Sequence, residues 1–426
     1  MYHPFGYRNT GTLKKVVAIL LTLFMSTGCI PKKTTLKPMA DNLSPPAVLA
    51  DSSKGSFWKN QVKYPLPVQY FSVKDARDQI WEIAVMDSYL GFPVDEDTPT
   101  LVLIHGRGAN SGYFYQLMRY AMEADIRVVA VDLPGYGKSL PGNLGNQIPR
   151  TMDDSRKLVF DVLVQQMNIK KAAYLGHSMG GQWVLGYALN YPNAVEKLIL
   201  ESSYGLEEYS TTVPINESEQ LAIFNPIMRY DYSKWQSIWS RLGYFDQEFA
   251  KSAEDIRVFY HFQKLDPETG SITRSPVGYF KNQSIDSIFL TRVRTQMIWS
   301  TADEYERYIR NSIWDIYGQG IELRREDPDS LVKNLEHIRV PVLMAFGEAD
   351  PFLPTTLFSN NRNIRHDIVK PAFIRLASSG YLPRVVFYKR SGHIPHADQA
   401  KKFAADVIQF IGNGEVVSKQ EDPLAY

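Results

Sequence analysis

Gly176-His177-Ser178-Met179-Gly180-Gly181 sets a serine among glycines, directly after the apolar run Ala172-Ala173-Tyr174-Leu175 and before a helical pattern. Strand, tight turn and helix at this spacing read as a nucleophile elbow. The turn holds its central residue in a strained backbone conformation, and a Cβ on the flanking positions would collide with the neighbouring strand or helix. The result is one exposed hydroxyl. Ester or amide cleavage by a serine also needs a base for its proton, an acid that orients the base, and donors for the developing oxyanion. His393, in Arg390-Ser391-Gly392-His393-Ile394-Pro395-His396, follows the last expected strand and precedes the final helix. Asp350, in Phe346-Gly347-Glu348-Ala349-Asp350-Pro351, follows the strand before it. Both are expected at strand carboxyl ends, the edge that carries Ser178. Other groups compete for these roles. His396 is assigned to the start of the last helix as a cap, His105 to bracing the loop after its strand, and His177 to the variable position of the elbow. Glu348, and more distantly Glu201 after Leu198-Ile199-Leu200, are alternatives to Asp350 as the acid.

Elements of two kinds are needed to position these residues. Val68 to Val73 and Ile80 to Val85 alternate in polarity, which predicts an antiparallel pair with one wet face. Leu101-Val102-Leu103-Ile104, Val128-Val129-Ala130-Val131, Ala172 to Leu175, Leu198 to Leu200, Val342 to Phe346 and Val385 to Tyr388 are continuous apolar runs. Strands covered on both faces look like this, and the helical stretches between them imply a parallel sheet. Helices are expected over Asp153 to Met167, Gly180 to Asn190, and His396 to Ile411. The alternation breaks between about Gly205 and Glu336, a stretch carrying Trp235, Trp239, Phe245, Phe249, Trp299, Tyr305, Trp314 and Tyr317. It reads as an inserted, mainly helical cap whose aromatics form its own core. Thr301-Ala302-Asp303-Glu304 is expected as a capping box opening one of its helices.

Composition narrows the function classes. The chain has 426 residues, with Lys+Arg 47 against Asp+Glu 46 and a formal net charge of +1. This balance argues against nucleic acid as the main partner and favours a small-molecule substrate, neutral or apolar. Nothing in the sequence sets the oligomeric state. The single cysteine is Cys29. Arg8, Lys14 and Lys15 precede the apolar run Val16 to Met25, followed by Ser26, Thr27 and Gly28, the pattern of a secretory signal too short to span a bilayer comfortably. Cys29 directly after Gly28 resembles a bacterial lipobox, with Ser26 where such motifs usually have Leu. The expectation is export and a membrane partner through an N-terminal lipid anchor on Cys29. Residues from Pro31 to about Asn60, rich in Pro, Lys, Ser and Thr, read as a tether. Gly135-Tyr136-Gly137-Lys138-Ser139 imitates the end of a phosphate loop, yet Asp132 stands where the motif needs glycine and Pro134 removes a backbone donor. No His/Cys/Glu cluster has metal-ligand spacing, so neither a metal nor a cofactor is expected.

Four segments together resemble the α/β-hydrolases, especially their cap-bearing branch. They are Leu103-Ile104-His105-Gly106-Arg107-Gly108, Val131-Asp132-Leu133-Pro134-Gly135-Tyr136-Gly137-Lys138-Ser139, the elbow, and the Asp350 and His393 pair. The chain order Ser, Asp, His is the order that family uses. The resemblance implies an α/β fold with a mostly parallel sheet, helices on both faces and the inserted cap. Together with the N-terminal pattern and the break in alternation, it predicts a division of the chain into signal (1–28), tether (29–60), core (61–204), cap (205–335), core (336–414) and tail (415–426). It implies Ser178 as nucleophile, His393 as base and then acid, Asp350 as orienting carboxylate, and the backbone N–H groups of Met179 and Arg107 as oxyanion hole. The Arg107 side chain reads as structural or solvated rather than as an anion contact, and Arg292, Arg294, Arg307 and Arg310 as exposed helix charges. Relatives that displace an alkyl carbon carry aspartate at the elbow, so serine points to acyl chemistry on a carboxylic ester. C–C hydrolysis, a haloperoxidase-like or acyltransferase reaction on the same triad, and a non-catalytic binding module at the envelope are the alternatives.

Overall fold

The computed structural model describes residues 56–60, 62–95, 97–139, 151–214, 220–226, 231–241, 261–265, 272–276 and 302–426. The expected signal with Cys29, the tether up to residue 55, and Phe245, Phe249, Arg292, Arg294, Trp299 and Thr301 lie outside these residues, as do the side chains of Trp239 and Tyr305.

The described strands, in chain order, are β1 (Val68–Lys74), β2 (Ile80–Asp87), β3 (Thr100–Ile104), β4 (Arg127–Val131), β5 (Ala172–His177), β6 (Val195–Glu201), β7 (Thr212–Pro214), β8 (Gln220–Ala222), β9 (His261–Leu265), β10 (Ile272–Pro276), β11 (Val342–Gly347) and β12 (Arg384–Tyr388). Eight of them form one sheet in the order β1-β2-β4-β3-β5-β6-β11-β12. From β4 to β12 every neighbouring pair is parallel, while β2 runs antiparallel to both β1 and β4. The apolar runs form the middle of this sheet. Every residue of β3, β4, β5 and β11 is buried, each large aliphatic side chain contributing about 1.5–3 kcal/mol on leaving water. The first hairpin departs from expectation on one strand. β1 keeps a wet face, but β2 is almost wholly buried because its second edge pairs with β4 through Val85↔Val131 and Met86↔Ala130.

Register brings the strand ends to one edge. Ile104 lies beside Gly176, His177 beside Glu201, Ala345 beside Glu201, and Gly347 beside Tyr388. The chain therefore turns out of β3, β5, β6, β11 and β12 along a single rim. Helices close both faces. Met152–Phe160, capped by the Thr151 hydroxyl accepting the Asp154 N–H, continues into a wider π turn over Asp161–Gln166. Met179–Asn190 follows β5. The expected last helix is broken at Gln399 into Pro395–Asp398 and Ala400–Asn413, the latter ending on left-handed Gly414.

Two further features correct the sequence reading. The last residues expected in the tether are part of the fold: Trp58 is fully buried, and the Lys138 ammonium donates to the carbonyls of Trp58 and Lys59. The segment expected as mainly helical also contains two short ladders, β7 with β8 and β9 with β10. Its helix Ala302–Glu322 is fastened to helix Met152–Phe160 by a partly buried ion pair. Arg156 meets Glu322 through Nη1 at 2.6 Å and Nη2 at 2.9 Å, and also donates to the carbonyls of Gln182 and Trp183. Glu304 accepts a hydrogen bond from Ser56, while Thr301, its expected capping-box partner, lies outside the described residues. Trp235, Trp314 and Tyr317 are buried against one another, as expected of a local core, with the Trp235 indole N–H on the Ile313 carbonyl at 2.6 Å.

Candidate active site

Ser178 occupies the turn between β5 and the helix Met179–Asn190 with φ 57 and ψ −121, a conformation costly for any residue with a side chain. The surrounding backbone enforces it. The Ser178 N–H donates to the Glu201 carbonyl at 2.9 Å, and the Ser178 carbonyl accepts from Gly181 at 2.9 Å and Tyr204 at 3.1 Å. A Cβ on Gly176 would fall 2.1 Å from the Gly180 carbonyl oxygen, and one on Gly180 would fall 2.4 Å from that of Ile104. The glycines of the motif are thus where strand, turn and helix touch.

His393 and Asp350 arrive from the neighbouring strand ends. The loops after β11 and β12 are joined by Glu348 N–H to the Tyr388 carbonyl at 3.1 Å and Ala349 N–H to the Ser391 carbonyl at 3.0 Å. His393 Nε2 lies 2.9 Å from Ser178 Oγ, and its Nδ1 lies 2.8 Å from Asp350 Oδ2. A carboxylate only accepts, so Nδ1 carries the proton and Nε2 faces the hydroxyl as an acceptor. The Asp350 side chain is 1% exposed, and its second oxygen accepts the Phe352 N–H at 2.9 Å. Three residues separated by 172 and 43 positions (350 − 178 and 393 − 350) form one hydrogen-bonded line.

Each competing group has a different engagement. Glu201 does not approach His393. Its carboxylate holds the His396 ring with both oxygens 2.9 Å from Nδ1, and Oε1 also accepts the His396 N–H at 2.6 Å. His396 is accordingly not the helix cap expected of it: Ile394 holds the cap position, and His396 sits inside the first turn of Pro395–Asp398, 1% exposed. Glu348 lies 3.6 Å from Arg365. His105 braces its loop as expected, with Nδ1 2.8 Å from the Gly106 carbonyl and Nε2 accepting the Leu133 N–H at 3.0 Å. Asp132 accepts from Ser111, Tyr64 and the Lys138 N–H, which makes Asp132 to Ser139 a structural turn whose lysine ammonium is taken up by the carbonyls of Trp58 and Lys59.

Met179 and Arg107 are the residues expected to supply oxyanion donors. Met179 is the first residue of the elbow helix, whose N-terminal dipole favours negative charge. The Gly106 backbone passes so close to the elbow that a Cβ there would lie 3.0 Å from Ser178 Cβ, which sets Arg107 beside the site. The Arg107 guanidinium turns to helix Ala302–Glu322, with Nη1 3.3 Å from Ser312 Oγ. On that helix Asp315 is buried and accepts a hydrogen bond from the Tyr136 hydroxyl. Burial pushes its carboxyl up to about 7, with the Tyr136 bond and the Arg107 charge opposing. Among the described residues, no group of three or more His, Cys, Asp or Glu is placed to hold a metal ion, and no helix is long and apolar enough to cross a membrane.

Sequence reasoning missed the engagement of His177, the His396–Glu201 pair and the buried Arg156. In each case the partner is remote in the chain and the residue types are ordinary for their local context.

A family model described as alpha/beta hydrolase fold matches residues 99–396. A 1-acylglycerol-3-phosphate O-acyltransferase of Arabidopsis thaliana is 33% identical over 117 residues, covering 27% of this chain and 27% of that protein. A 2-hydroxy-6-oxononadienedioate/2-hydroxy-6-oxononatrienedioate hydrolase of Paraburkholderia phymatum is 38% identical over 106 residues, covering 24% of this chain and 35% of that protein. The chain thus spans about a quarter to a third of the length of these curated relatives. Among solved structures, a probable hydrolytic enzyme of Pseudomonas aeruginosa superposes with TM-score 0.55 at 19% identity, covering 82% of this chain and 95% of that one. An esterase of Exiguobacterium antarcticum gives 0.51 at 17%, covering 81% and 100%. Likeness at this identity concerns the fold.

Proposed function

The chain belongs to the alpha/beta hydrolase fold family, and from that premise we propose that it is a serine hydrolase cleaving a carboxylic ester through an acyl-enzyme. The observation that carries this reading is the line Ser178 Oγ, His393, Asp350, with 2.9 Å and 2.8 Å between successive atoms. In the proposed cycle Ser178 Oγ attacks the carbonyl carbon while His393 Nε2 takes its proton. The backbone N–H groups of Met179 and Arg107 receive the oxyanion. Collapse expels the alcohol, protonated by His393, and water activated by the same imidazole then releases the acid. Asp350 keeps the ring in the tautomer whose Nε2 accepts. Loss of one oxyanion donor in such sites costs about 10²–10³ in rate.

Three accompanying readings belong to the same proposal. The segment 205–335 acts as a cap over the rim, the substrate is a small acyl ester, and the protein is exported and lipid-anchored at Cys29. The elbow serine supports acyl chemistry over alkyl displacement. The relatives named as an acyltransferase and a C–C hydrolase support the same nucleophile working on other bonds, distinguished by the products formed with an acceptor alcohol or a diketone.

The test uses a fluorophosphonate probe and p-nitrophenyl esters of increasing chain length. Wild type is expected to label once and to turn over at least one ester, and Ser178→Ala to do neither. A folded wild type that neither labels nor turns over esters overturns the reading. Short-chain preference fits a closed cap, and long-chain turnover an open groove.

A further inference from the structure

We infer that His177, the residue before the nucleophile, is a positioning residue that holds the oxyanion loop and the base loop in one frame through a one-way hydrogen-bond chain running beneath the site. This rests on the serine-hydrolase reading above. The chain has four members. The Gly106 N–H donates to the Tyr113 hydroxyl oxygen at 2.9 Å. The Tyr113 hydroxyl is 2.8 Å from His177 Nδ1, and His177 Nε2 is 2.7 Å from the backbone carbonyl of His393.

Donor and acceptor chemistry fixes every direction. The His393 carbonyl can only accept, so His177 Nε2 carries a proton. Burial, with His393 and His396 nearby, holds the His177 imidazole well below the ordinary histidine range, so the ring is neutral and Nδ1 is an acceptor. Tyr113, buried and held well above the usual phenol range by desolvation, keeps its proton and donates it to Nδ1. Its oxygen is then available to the Gly106 N–H. Reversing one bond would leave two donors or two acceptors facing each other.

The two ends of this chain are the two loops whose relative placement sets the reaction geometry. Gly106 immediately precedes Arg107, the proposed oxyanion donor from the β3 loop. The His393 carbonyl belongs to the proposed base itself. Between them His177 sits on β5, one residue from the nucleophile, so all three functional loops are referenced to one imidazole. The packing around it is tight. His177 contacts the His393 ring at 4.9 Å between centroids and the His396 ring edge-on at 5.5 Å, while Tyr113 meets His396 edge-on at 4.7 Å. The variable position of the elbow, buried within the fold, thus carries a residue whose two nitrogens are both committed. A leucine there would fill space but connect nothing, whereas glutamine keeps an N–H donor at the reach of Nε2.

The experiment compares wild type, His177→Leu, His177→Gln and Tyr113→Phe on a p-nitrophenyl ester and in fluorophosphonate labelling rate, with Tm measured for each. The expected result for His177→Leu is kcat lowered roughly 10- to 100-fold with KM within about twofold, the signature of displaced reacting groups and not of lost substrate contacts. His177→Gln recovers a substantial part of that loss. Tyr113→Phe, which removes one hydroxyl and little volume, lowers kcat in the same direction. Equal rates for His177→Leu and wild type overturn the inference. So does a loss that glutamine does not relieve, or one that appears in KM. If His177→Leu does not fold, Tyr113→Phe decides: a lowered kcat with KM within about twofold supports the inference, and a kcat equal to wild type or a loss confined to KM overturns it. A wild type that neither labels nor turns over ester overturns the hydrolase reading and this inference with it, whereas an active wild type with unaffected variants overturns this inference alone.

Discussion

Two acidic residues stand at strand ends close to histidines, and at the level of single side chains they do different work. Asp350 faces His393 Nδ1, while Glu201 is committed to His396 through three contacts of 2.6–2.9 Å. The expected consequence is a divided phenotype. Asp350→Asn lets the imidazole take the wrong tautomer and lowers kcat by on the order of 10³–10⁴. Glu201→Gln breaks a fully buried pair, where losing one partner typically costs about 3–5 kcal/mol, so it lowers Tm while reducing kcat by much less. Steady-state kinetics and thermal unfolding of the two variants check this, and the reverse pattern would make Glu201 the orienting acid. Ser178, His393 and Asp350 were legible in the sequence because each follows an apolar run with a turn signal, a local pattern. The His396–Glu201 pair was not, because its members lie 195 positions apart and only sheet register brings them together.

At the level of elements, the apolar runs were enough to recover the sheet, since a strand buried on both faces has no other way to look. The insertion was not recovered in the same way. Its short ladders β7–β8 and β9–β10 have three to five residues each, too few for a period to emerge from aromatic-rich surroundings. Neither the Arg156–Glu322 pair nor the Asp315–Tyr136 contact that join helix Ala302–Glu322 to the core leaves a mark in hydrophobic pattern. Asp315 makes the second of these joints sensitive to pH. Its carboxyl ordinarily titrates at 3.8 and in the fold at about 7. Between those values the folded protein holds a proton the unfolded chain has lost, so stability falls as pH rises through this window and stays lower above it. Asp315→Asn, which still accepts from Tyr136, is expected to flatten that decline and to raise Tm relative to wild type at pH 8 more than at pH 4.5. Thermal unfolding across that range measures it, and parallel profiles for the two proteins would refute it.

For the whole molecule, the described residues that precede the first strand are packed into the fold, with the Lys138 ammonium donating to the carbonyl of the buried Trp58. The proposed lipid anchor would sit at the far end of the preceding stretch, on Cys29. Cys29→Ser expressed in a bacterial host is therefore expected to move the protein from the membrane to the soluble fraction while kcat on p-nitrophenyl esters stays unchanged. Wild-type protein found in the soluble fraction would count against the anchor. Balanced charge made this reading of class possible, since it left small-molecule chemistry as the simplest use for the rim. The shape of the proposed cap, on which the proposed choice of ester would depend, rests on long-range packing that composition does not encode.

The backbone around Ser178 has one more implication. Its amide and its carbonyl are both claimed by neighbouring main chain, and the crowding that forces the turn comes from glycine positions, so nothing in the support touches the hydroxyl itself. The elbow behaves as a mount that is machined before the tool is chosen. Exchanging the reactive atom, oxygen for sulfur in Ser178→Cys, is therefore expected to leave the mount as it is.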